Sequence, residues 1–145
     1  MPSSGEELRL IGPLEEEAVR DAWPKVEAFL CAALESDGWK VGIDDLLRQI
    51  SEGAMGLYIV QDFEAGEIIA AATCEVQEYP KSSVFCVAFC GGRELYRWAN
   101  ALAGLEAEAF RFGCDTVRIM GRAGWGRVYP DYTETHRVYE RKVVA

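Results

Sequence analysis

Gly91-Gly92-Arg93 is the first place where this sequence could do chemistry. The two glycines end the apolar run SVFCVAFC and stand before a helical pattern. A backbone without Cβ atoms lets a ligand come close, the amides of a new helix attract negative charge, and a guanidinium adds a cation. Phe89, Cys90, Gly91, Gly92 and Arg93 are therefore candidate anion-binding residues. The plain alternative is a strand-to-helix turn with no ligand. The second place is the loop from Gly121 to Arg127, where three glycines, two arginines and an indole fall within seven residues. Arg122 and Arg127 suit a carboxylate or phosphate, and Trp125 offers a stacking face, so these three are candidates for a substrate rim. The alternative there is a rigid turn with Trp125 as a core plug. His136, the only histidine, reads as structural.

The five cysteines form an odd set without a CxxC pair. Four lie in apolar surroundings, which predicts reduced, mostly buried thiols and no disulfide framework. No metal site is expected, because Cys86 and Cys90 share one strand and the histidine is far along the chain.

The elements that must position these groups follow from periodicity. Val19, Trp23, Val26, Leu30 and Leu34 recur at helical spacing, with Pro24 as a point where the helix kinks or restarts and Asp37-Gly38 as its close. A shorter helix runs from Asp44 to about Ser51. Strands follow over residues 56–61, 67–79 and 83–90, joined by short turns, which reads as an antiparallel meander. Glu75, Gln77 and Tyr79 share one face of the second of these. A long helix is predicted from Arg93 to about Phe112, with Gly113 as its C-cap. A strand at 115–120 comes next. A helix between two strands is a crossover, so 84–90 and 115–120 should be parallel. One short helix within 121–132 and a last strand at 135–143 complete the expectation. Residues 1–12 read as a flexible lead or an edge strand. The fold class is α+β, with a mixed central sheet flanked by helices, in a single domain over residues 1–145.

This element order, with the Cys90-Gly91-Gly92 break before a long helix, resembles the GCN5-related N-acetyltransferase (GNAT) superfamily over roughly residues 8–143. The stretch AEAFRFGCDTVRI looks like the helix and strand after the acyl-CoA loop of such proteins. GRAGWGRVYPDYTETHRVYERKV looks like the C-terminal portion of small phage and prophage members. The resemblance implies acyl transfer from acetyl-CoA, or another acyl-CoA, to an amine on a small molecule or protein. It implies that FCGGRELYRW takes the place of the loop Q/R-x-x-G-x-G/A that wraps the cofactor pyrophosphate. No Arg or Gln precedes the glycines here, so the motif is incomplete. The same resemblance implies Tyr129 as the acid that protonates the leaving sulfur and Glu75 as the base. Tyr132 falls where relatives pack an aromatic. The alternatives are Tyr129 closing the short helix against Trp125, and Glu75 as a surface charge. At the level of function the alternative is a catalytically inactive binding or assembly module with this fold.

Composition bounds these readings. The chain has 145 residues, half of them hydrophobic, and a net charge of -9. Residues 1–60 hold twelve acids and five bases, whereas residues 115–145 hold four and six. The acidic front disfavours nucleic acid and anionic membranes, and the basic end suits a small anion. No apolar run is long enough for a membrane helix and the start does not read as a secretory signal, so a cytoplasmic protein is expected, in a bacterial host cell if phage-encoded. A homodimer is compatible with such a domain.

Overall fold

A computed structural model of the protein describes residues 7–35, 40–120, 125–136, 138–141 and 143. The elements run β1 (Leu8–Ile11), α1 (Glu16–Glu35), α2 (Ile43–Ser51), β2 (Gly56–Asp62), β3 (Glu67–Tyr79), β4 (Ser82–Gly92), α3 (Leu95–Leu102), α4 (Leu105–Arg111), β5 (Thr116–Ile119) and α5 (Trp125–Val128). The sheet has the order β1-β2-β3-β4-β5. The pairs from β1 through β4 are antiparallel, and β4 with β5 is parallel. The meander and the parallel crossover are as the turn spacings and the intervening helices predict.

Two helical layers cover the sheet. On one face Val26, Leu30 and Leu46 of α1 and α2 pack on Leu57, Ile59 and Ala71. On the other, Trp98, Leu102, Leu105 and Ala109 of α3 and α4 pack on Tyr58, Val60, Ala72, Phe85 and Val87. The middle of β3 is buried on both faces, which is why Ile69 to Cys74 reads as one apolar run rather than an alternation. Leu30 is fully buried, so truncating it to alanine would cost about 2–5 kcal/mol. No helix among the described residues is long and apolar enough to cross a membrane.

The structure departs from the sequence expectation in four places. α1 continues through Pro24 without a break. The single long helix is two helices, α3 and α4, parted at Ala103-Gly104, where Glu106 and Ala107 bond back three residues. Glycine is a weak helix former, and its missing side chain lets this junction sit over Leu10 of β1. The expected last strand at 135–143 is absent among the described residues. Its adjacent positions Val138 and Tyr139 are 73% and 85% exposed, so neither face of the alternating pattern finds apolar cover. Within residues 1–12, where a flexible lead and an edge strand are the alternatives, Leu8–Ile11 agree with the second and form the edge strand β1. Of the free cysteines, only Cys74 and Cys86 are fully buried, while Cys31, Cys90 and Cys114 are half-buried.

Candidate functional site

β4 carries the geometry that matters. It pairs with β3 along its whole length, but with β5 only from Val84 to Val87. Met120 N–H donates to Val87 O at 3.1 Å, the last contact between the two strands among the described residues. Among the described residues no strand lies on that side of Ala88 to Gly92. The end of this described pairing coincides with a bulge. Thr73 pairs Phe89 and Cys74 pairs Val87, so Ala88 stands outside the register. A bulge bends and twists its strand and exposes backbone groups that a ladder would otherwise use. Thr73, one register step from the end of that pairing, has a fully buried hydroxyl without a hydrogen-bond partner.

The glycine pair belongs to the strand and does not break it off beforehand. Gly91 and Gly92 are its last two residues, paired with Ala71 and Ala70. Each glycine is required by the protein's own packing. A Cβ on Gly91 would stand 2.4 Å from the Phe29 carbonyl oxygen of α1, and one on Gly92 would stand 2.5 Å from the Ile69 oxygen. Arg93 is engaged as well: its amide donates to Ile69 O at 2.9 Å, and its guanidinium pairs with Glu67 at 2.7 Å. Phe89 packs toward α1 and α2, and Cys90 toward α3 and α4. Burial pushes the Cys90 thiol up to about 12.

Glu75 and Tyr129 lie on opposite faces of the sheet. Tyr129 follows α5, stacks on Trp125 at 5.9 Å and donates to the Ala99 carbonyl of α3 at 2.6 Å. Burial first, and then nearby Cys90, raises its pKa. Tyr132 leans on Tyr129 at 5.5 Å and donates to Glu106 at 3.2 Å. Trp125 also meets Trp98 edge-on at 6.3 Å, so its indole is a packing wall beside α3. Arg127 is exposed. Arg122 lies outside the described residues. Thus Tyr129 and Trp125 come together with Cys90, and Arg127 stands apart.

Glu75 has the parity of Ala71 and faces the α1–α2 side, where it pairs in register with Cys86. Cys86 is buried, and its thiol is pushed up to about 11, first by burial and then by Glu75. A chain of hydrogen bonds runs outward from Glu75. Gln77 Nε2 donates to Glu75 Oε1 at 3.3 Å, Arg118 Nη1 to Gln77 Oε1 at 2.9 Å, and Arg118 Nη1 to Tyr79 Oη at 3.1 Å. Arg118 was not among the sequence candidates. Its signal was a cation alternating with Val117 and Ile119, which pack on the opposite face.

The edge of β4 from Ala88 to Gly92, unpaired on its outer side among the described residues, leads to the Arg93 turn. A diphosphate at the following turn would need Arg93 to leave Glu67. No family model and no curated protein matches the chain in sequence. Solved structures do match its fold. A GNAT family acetyltransferase of Staphylococcus aureus aligns with TM-score 0.62 and 11% identity, over 95% of this chain and 98% of that one. Glucosamine-6-phosphate N-acetyltransferase from Arabidopsis thaliana aligns with TM-score 0.62 and 11% identity, over 94% and 99%. An aminoglycoside N-acetyltransferase in complex with CoA aligns with TM-score 0.64 and 12% identity, over 97% and 95%. The chain has the fold of the GNAT superfamily of acetyltransferases.

Proposed function

We propose that the protein is an N-acyltransferase that moves an acetyl or related acyl group from acyl-CoA to an amine. One observation carries the reading: among the described residues β4 pairs with β5 no further than Val87, with the Glu75 carboxylate on one face of the sheet and the Tyr129 phenol, near Cys90, on the other. Neighbours named for glucosamine-6-phosphate and for aminoglycosides support an amine as the acceptor. Acyl-CoA would supply the activated thioester. Backbone groups of Ala88 to Gly92 would hold its amide-bearing arm, and the Arg93 turn its diphosphate.

The chain's own residues divide the proton work. Gln77 engages one oxygen of Glu75, leaving the other to accept a proton from an incoming ammonium on the α1–α2 face. Tyr129 keeps its proton through the neutral range because burial disfavours the phenolate, so it remains a donor on the α3–α4 face. Trp125 walls that side against water.

The second reading is an inactive binding module. The packed glycines and the pairing of Arg93 with Glu67 favour it. Calorimetry with acetyl-CoA and with free CoA separates the two. Binding of both supports the acyltransferase. If neither binds at millimolar concentration, that reading fails and the inactive module leads.

A further inference from the structure

Arg118 is a guanidinium with only neutral partners among the described residues. Its neighbours are the Gln77 carbonyl, the Tyr79 hydroxyl and the Tyr79 ring, whose centroid lies 5.7 Å from Cζ. The arrangement differs at Arg48, Arg93, Arg97 and Arg111, each of which meets a carboxylate at 2.6–2.8 Å. A chain with net charge -9 has carboxylates in excess, yet none is placed on this cation. Nη1 serves both hydrogen bonds, which leaves Nε and Nη2 for a bidentate anion. The Tyr79 and Gln77 contacts hold the guanidinium in one plane without neutralising it.

Its position relates it to Glu75. Arg118, Cys86 and Glu75 are register partners across β5, β4 and β3. Strands lie about 4.8 Å apart, so the two Cα atoms stand roughly 10 Å apart on one face. Gln77 links them, accepting from Arg118 and donating to Glu75. One register step away the described pairing of β4 with β5 ends. The face thus presents a carboxylate acceptor and a guanidinium donor side by side, next to the end of that pairing.

We infer that this face is the acceptor subsite and that the acceptor is an amine that also carries a carboxylate, with Arg118 binding the carboxylate and Glu75 the ammonium. The inference rests on the acyltransferase reading for its name, but its binding test does not. Neither half is interchangeable. An uncharged amide in place of the carboxylate leaves Arg118 desolvated with no anion, which is how a built polar site rejects an analogue.

The experiment measures binding by calorimetry and by chemical-shift perturbation, with and without acetyl-CoA. The probes are 4-aminobutyrate, 6-aminohexanoate and the amide of each. The wild-type protein is expected to bind at least one of the acids about tenfold tighter than its amide. Arg118→Gln should bring that acid down to the level of the amide and leave the amide unchanged. Glu75→Gln should weaken both while keeping their ratio. Equal affinity of acids and amides in the wild type overturns the proposal, and so does the absence of binding by either acid at millimolar concentration. Both outcomes are independent of whether Arg118→Gln folds. If the acids bind selectively but acetyl-CoA does not bind, the subsite stands and acyl transfer fails. If acetyl-CoA binds and the acids do not, acyl transfer stands and the subsite fails.

Discussion

Asp62 at the end of β2 and Arg97 in α3 meet at 2.8 Å, with 6% and 18% of their side chains exposed. The same carboxylate accepts the Glu64 and Ala65 amides at 3.0 Å each. One side chain therefore shapes the β2–β3 turn and ties it to the helix that follows β4.

These contacts set a pH dependence. The Ala65 amide first, then Arg97 and the Glu64 amide, hold Asp62 below the usual carboxylate range. A depressed folded-state pKa contributes stability above the unfolded value of about 3.9, and loses it as pH falls through the folded value. Asp62→Asn should lower the melting temperature at pH 7. The gap to the wild type should narrow as pH falls below about 4. A gap that is constant between pH 7 and pH 3 would exclude the ion pair as its cause.

Gly91 is a packing requirement of α1. A methyl group 2.4 Å from the Phe29 oxygen forces the helix off the sheet. Gly91→Ala should cost about 1–3 kcal/mol in denaturant unfolding. A smaller loss in Gly91→Ala combined with changes on α1 would show that the helix can yield. No loss in the single variant refutes the close approach.

Glu67 competes with any anion for Arg93. Both side chains are about half exposed, at 54% and 52%, so the pair is worth at most about 1 kcal/mol. Glu67→Gln should tighten acetyl-CoA binding by up to about fivefold, and Arg93→Gln should weaken it. Calorimetry of both variants decides the matter. If neither shifts the Kd, the turn holds no diphosphate.

Tyr129→Phe removes a donor but keeps the ring that stacks on Trp125. Losing the bond to Ala99 should cost about 1 kcal/mol of stability. The Kd for acetyl-CoA should hold while kcat falls by roughly 10²-fold, the usual worth of a positioned acid. An unchanged kcat would assign the hydroxyl to packing alone.

Periodicity in the sequence determined the meander, the crossover and the faces of β3, because the alternation of side chains in a strand is local geometry. Thus Glu75, Gln77 and Tyr79 could be placed on one face from their spacing alone. Tertiary structure decided what those residues meet. Arg118 joins them only because β5 aligns it with Cys86, and register between distant strands is not written in either strand alone. The glycine pair shows the same limit. Gly91-Gly92 signals that something must come close, but whether that is a ligand or the Phe29 carbonyl depends on where α1 crosses the sheet. The alternating tail at 135–143 needed a covered face to become a strand, and among its described residues Val138 and Tyr139 are both exposed.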